Sequence, residues 1–107
     1  MSLAVHLVDK HKSLVFSANI THNLGNMASA CGVYYACWRP EEINCKKAKH
    51  ILPMLEDGVK LLETYPDFYR TFNSPNGWGS YDNFLLWLRE YKDACKGNLE
   101  AKIEVSR

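Results

Sequence analysis

The sequence predicts an α+β fold: a three-stranded antiparallel sheet, built from an N-terminal hairpin plus a C-terminal strand and covered on one face by about four helices. Two observations carry this. Period-two segments open and close the chain, and helical periodicity fills the space between them. A lone hairpin is marginally stable in water, so the last strand is expected to join the first two. At 107 residues, with no internal repeat and no linker-like stretch, residues 1–107 are expected to form one domain.

In the first strand Leu3, Val5 and Leu7 alternate with Ala4, His6 and Val8; in the second, Leu14, Phe16, Ala18 and Ile20 alternate with Val15, Ser17, Asn19 and Thr21. The polar run Asp9-Lys10-His11-Lys12 suits the connection between them. From Asn23 the period changes. Leu24, Met27, Ala28, Cys31, Tyr34 or Tyr35, and Trp38 recur at three- and four-residue steps, which predicts one helix with Thr21 or Asn23 as its cap. It should end by Arg39, because Pro40 disfavours helical geometry in the residue before it. Pro40-Glu41-Glu42 reads as a new helix start, with proline in the first turn and acids at the positive end of the dipole.

A longer helix follows, with Ala48, Ile51, Leu52, Leu55, Val59 and Leu62 on one stripe and a kink or break expected at Pro53. Tyr65-Pro66-Asp67 punctuates the chain, and Phe68 with Phe72 suits a short helix. Asn73 to Ser80 is rich in turn formers. Ser80 can cap a last helix with Phe84, Leu85, Leu88 and Tyr91 inside, and Gly97 is placed to end it as the residue just past the cap. In the final strand Leu99, Ala101, Ile103 and Val105 alternate with Glu100, Lys102 and Glu104.

Composition excludes several classes. Hydrophobic residues make up 47% and charged residues 23%, as in an ordinary soluble globule and unlike a disordered chain. Thirteen Lys and Arg against twelve Asp and Glu give a formal charge of +1, so no general attraction to nucleic acid or to an anionic membrane is expected. A local site for one small anion remains open. No segment approaches the roughly 20 apolar residues that span a bilayer, and the first residues do not form a signal peptide, which predicts a cytoplasmic protein. In that compartment Cys31, Cys37, Cys45 and Cys95 are expected as free thiols. No Cys-x-x-Cys pair occurs and no histidine stands at zinc spacing, so neither a metal nor a cofactor is expected.

Three clusters stand apart from ordinary core and surface. The first is Ser17-Ala18-Asn19-Ile20-Thr21-His22-Asn23, at a strand-to-helix junction where free N–H groups and the helix dipole suit an anion. Capping and turn formation explain the same residues. The second is Trp38-Arg39-Pro40-Glu41-Glu42: an arginine able to grip a phosphate or carboxylate beside an indole face, or a helix corner in which Arg39 pairs with Glu41 or Glu42. The third is Asn76-Gly77-Trp78-Gly79-Ser80-Tyr81, where glycines let the backbone approach a ligand, or where Trp78 plugs the core from a structural turn. No phosphate-binding glycine loop, nucleophile elbow or His-Glu-x-x-His motif is present. Cys31 or Cys37 with His22 could form a nucleophile and base, but Cys31 falls on the apolar stripe.

At these clusters the chain resembles a family of small proteins encoded by bacteriophages and some bacteria. The matching stretches are Ser17 to Leu24, Trp38 to Glu42, Asn76 to Gly79, and the ending Val105-Ser106-Arg107. The resemblance brings no established activity. It implies a viral or prophage context, hence the host cytoplasm, where small proteins often counter host defence and some sequester nucleotide immune signals.

Together these readings lead to a non-catalytic binder of a small nucleotide-like ligand, with sequestration of a host immune signal as its role. Trp38, Trp78 and Tyr81 are expected to stack on the base, Arg39 and the N–H groups near His22 and Asn23 to hold phosphate, and Asn19 and Asn76 to bond the sugar or base edge. A homo-oligomer with pockets shared between chains is expected. The competing readings are a small hydrolase or lyase using His22 as general acid or base, and a protein inhibitor of a host factor.

Overall fold

The computed structural model describes residues 2–75, 77 and 79–107. Strand β1 (Ser2–Val8) pairs antiparallel with β2 (Leu14–Thr21) on one side and with β3 (Lys102–Ser106) on the other, giving the order β2-β1-β3. This is the α+β arrangement expected. The alternation sets the register: Leu3, Val5 and Leu7 oppose Ile20, Ala18 and Phe16 across β2, while Val5 and Leu7 oppose Val105 and Ile103 across β3. These rows face the helices, and Leu3, Val5 and Leu7 are fully buried; Ser17 and Asn19 point the other way and are exposed. The hairpin turn is closed by Asp9, whose Oδ1 accepts from the His11 and Ser13 N–H groups at 2.9 Å each.

The helical stretch expected from Asn23 to Arg39 is broken. A 3₁₀ turn (His22–Leu24) leads into α1 (Gly25–Ala30), and α2 spans Tyr34–Trp38. Between them Gly32 adopts φ +83°, a conformation that suits glycine, and the Val33 N–H returns to the Ala28 carbonyl at 2.9 Å. The break seats Val33 against Gly58 of α3 (Ala48–Thr64): a Cβ at Gly58 would lie 2.3 Å from Val33 Cγ1. The start expected at Pro40 is a 3₁₀ turn, Pro40–Ile43. Pro53 does not end α3. It lies inside the helix on an exposed face, as does Lys49, so the Lys49 carbonyl that loses its N–H partner can be hydrated.

Helix α4 (Pro66–Arg70) is the short helix expected around Phe68, and α5 (Tyr81–Gly97) starts at Ser80, whose Oγ accepts from the Asn83 N–H at 3.3 Å. Gly97 is the last helical residue, and Asn98 takes the cap position. Helices α3 and α5 pack against each other, and α5 lies on β2, where Tyr91 stacks on Phe16 with centroids 5.8 Å apart. Ile51, Leu55, Leu62, Phe84, Leu88 and Tyr91 are fully buried there, each contributing about 1.5–3 kcal/mol by leaving water. The start of α3 is tied to β3 by backbone bonds from Ala48 N–H to the Ala101 carbonyl and from Ile103 N–H to the Lys46 carbonyl, both 2.9 Å. Beside this seam Glu100 accepts from Lys47 and Lys49.

Candidate functional site

Thr21 ends β2 with its Oγ1 accepting from the Asn23 N–H at 3.3 Å, so the chain turns sharply and presents His22 towards α2. Trp38, the last residue of α2, donates its indole N–H to His22 Nδ1 at 2.9 Å. An indole N–H can only donate, so Nδ1 accepts and the proton of the neutral imidazole sits on Nε2. His22 is thereby held as a hydrogen-bond donor at its remaining nitrogen. The Trp38 ring is stacked on Tyr34, with centroids 5.5 Å apart and planes 11° apart, and Tyr35 meets Tyr34 edge-on.

The next residue, Arg39, donates Nε–H to the Tyr34 hydroxyl at 3.3 Å and Nη1–H to Glu42 Oε2 at 2.8 Å. The Tyr34 hydroxyl and then the Glu42 carboxylate push the guanidinium pKa further above its ordinary value, so it is permanently charged. A second arginine arrives from the far end of the sequence. Arg107 Nη1 donates to the Trp38 carbonyl at 2.8 Å and to Glu41 Oε1 at 2.7 Å.

These groups surround a concavity of about 870 Å³, within the size range of small-molecule sites. His22, Asn23, Asn26 and Ser29 line it from the turn and helix after β2, Tyr34, Tyr35, Trp38 and Arg39 from α2 and the residue after it, and Arg107 from beyond β3. Among the described residues its lining includes two arginines and no aspartate or glutamate; Glu41 and Glu42 bind the arginines without lining the space. A site so lined offers N–H donors to an acceptor-rich anion, each guanidinium being already paired with a glutamate, and an aromatic ring to a planar group.

Four of the expected site residues therefore come together: His22, Asn23, Trp38 and Arg39. The corner reading of Arg39 holds, since it pairs with Glu42, and the same residue also lines the cavity. The stacking role expected of Trp38 is corrected: the ring is 3% exposed and lies against Tyr34. Tyr35, 50% exposed, is the available aromatic surface. Tyr81 is also corrected. It is 4% exposed, its hydroxyl donates to the Leu62 carbonyl at 2.6 Å, and the Arg70 guanidinium covers its ring at 4.8 Å. Asn19 lies apart, exposed on β2 beside a smaller concavity of about 330 Å³ shared with Thr21, Gly79, Asn83 and Trp87. Asn76 and Trp78 fall outside the described residues.

Asn26, Ser29, Tyr34, Tyr35 and Arg107 were not singled out from sequence. The tyrosines read as part of an apolar helix face, and nothing local to Arg107 shows that it reaches Trp38. The nucleophile reading of the cysteines loses support. Cys31, Cys37 and Cys95 are buried, and burial pushes Cys31 up to about 11, Cys95 up to about 12, and Cys37 well above the ordinary thiol value. Among the described residues no group of three or more His, Cys, Asp or Glu is placed to hold a metal ion, and no helix is long and apolar enough to cross a membrane. No protein-family model matches the chain, nor does any curated protein or solved structure.

Proposed function

We propose that the protein binds a small, anionic, nucleotide-like molecule in the cavity between α1, α2 and Arg107, and holds it without turning it over. The observation that supports this most is the lining: among the described residues, two arginines and no acid, in a chain whose charges otherwise nearly cancel, beside an exposed tyrosine ring. Arg39 and Arg107 meet the anionic group, Tyr35 carries the planar ring, and His22 Nε2–H with Asn26 bonds acceptors at its edge. The tautomer favours binding over turnover. A general base needs a free lone pair, and the lone pair of His22 Nδ1 is engaged by Trp38. In a phage or prophage setting, such a protein would remove a host signalling nucleotide from circulation, acting in the host cytoplasm and as a homo-oligomer.

Thermal unfolding against a panel of nucleotides tests this, with the ligand recovered and chromatographed afterwards. A binder at about 100 times its Kd adds roughly 2.7 kcal/mol, which raises Tm by about 10 °C in a domain this size. The expected result is stabilisation by at least one nucleotide, its recovery unchanged, and loss of the effect in Arg39→Ala. No shift from any member, or recovery of a reaction product, overturns the reading.

A further inference from the structure

Resting on that reading, we propose that the ligand carries two adjoining phosphates, a pyrophosphate group spanned by Arg39 and Arg107. The two arginines are 68 residues apart in sequence and line the same cavity, and Arg107 is bonded to the peptide that joins Trp38 to Arg39. Arg39 follows Trp38 in sequence, and Arg107 donates to the Trp38 carbonyl at 2.8 Å. Two like charges gathered there repel one another, and each is balanced by its own carboxylate: Glu42 for Arg39, Glu41 for Arg107. The carboxylates are successive residues of one 3₁₀ turn.

The carboxylates do not saturate the arginines. A guanidinium has five N–H donors. Arg39 commits Nε and Nη1, and Arg107 commits Nη1 alone, so each keeps Nη2 and part of its fork. Both ion pairs are substantially solvent-exposed, and exposed pairs contribute little, so an anion can compete with the glutamates. A guanidinium fork grips one phosphate through two parallel N–H···O bonds. A second arginine, carried to the same cavity from beyond the C-terminal strand and balanced separately, suits a second phosphate. The pyrophosphate can belong to a nucleoside diphosphate or join two nucleosides.

Calorimetric titration with AMP and ADP, GMP and GDP, UMP and UDP, and NAD as the two-nucleoside case tests this. In at least one series the diphosphate, or NAD relative to AMP, is expected to bind about tenfold or more tightly than the monophosphate. Arg107→Ala should remove that ratio while leaving monophosphate binding measurable. Arg107→Lys, which keeps the charge without the fork, should fall between and guards against a variant that merely loosens the C-terminal strand; far-ultraviolet circular dichroism checks that both are folded. Equal affinity for mono- and diphosphates, or an unchanged ratio in folded Arg107→Ala, overturns the inference while the nucleotide reading stands. Absence of all nucleotide binding overturns both.

Discussion

Two aromatic regions of the molecule are similar in composition and opposite in character. Along α5 and β2, Phe84, Trp87, Tyr91 and Phe16 stack into the core, and among the described residues neither Trp87 Nε1 nor the Tyr91 hydroxyl has a hydrogen-bond partner. Around the cavity, Tyr34 and Trp38 stack just as closely, yet the Trp38 N–H is accepted by His22 and the Tyr34 hydroxyl by accepting from Arg39 ties down a cation. The first region uses aromatics for volume and apolar area. The second uses their polar ends to orient neighbouring groups. Aromatic content alone does not mark a site; the fate of each N–H and O–H does.

The largest separation between the regions is expected from paired truncations. Phe84→Ala opens a cavity in the core and should cost about 3–5 kcal/mol, read as a large fall in denaturation midpoint. Tyr35→Ala should leave stability within about 0.5 kcal/mol and abolish the nucleotide-induced thermal shift. If Tyr35→Ala unfolds the protein, or leaves the shift intact, the division is wrong.

A smaller and sharper contrast lies between two buried tyrosines. Tyr81→Phe strands the Leu62 carbonyl and should cost about 1–3 kcal/mol. Tyr91→Phe removes a hydroxyl that has no partner and should be neutral or stabilising by about 1 kcal/mol. Equilibrium urea unfolding of both variants checks the pair, and equal losses would refute the assignment of roles.

A third contrast is an alkaline effect confined to the core. Burial holds Cys31 near 11 and Cys95 near 12 and raises Cys37 and Tyr91, whereas unfolded thiols titrate from about 9. Above pH 9 the unfolded chain therefore releases protons that the folded protein keeps, and stability falls as pH rises towards 11–12. Denaturation midpoints at pH 8 and pH 10 measure it; an unchanged midpoint contradicts the burial of these thiols. The smallest effect is at acid pH. Glu100, held down to about 2 by hydrogen bonds from Lys49 and then Lys47, adds stability that is present above 4.5 and lost as pH falls towards 2. Its exposure keeps that gain small, and Glu100→Gln should flatten the acid limb only slightly.

The sheet and the two long helices were legible because each repeats one period over many residues: Leu3-Val5-Leu7 for a strand, Phe84-Leu88-Tyr91 for a helix face. The break at Gly32 was not, since the spacing from Leu24 to Trp38 runs through it unchanged and its cause, Val33 meeting Gly58, is a tertiary contact. Of the kink or break expected at Pro53, the break does not occur, because the freed carbonyl falls on a wet face, which only the folded helix shows. At the site, His22, Trp38 and Arg39 were visible as polar and aromatic residues at element ends. Tyr34 and Tyr35 were not, because the local spacing cannot say which of two adjacent tyrosines faces inward. Arg107 was invisible because its bond to Trp38 spans 69 residues.

The most direct measurement is a ¹H–¹⁵N correlation spectrum recorded during nucleotide titration, with the Trp38 indole N–H as an internal reporter. The expected result is a set of shifts confined to His22, Asn26, Tyr35, Trp38, Arg39 and Arg107, with Asn19 and Asn83 unmoved. Shifts centred on Asn19 and Asn83, or none at all at saturating nucleotide, would contradict it.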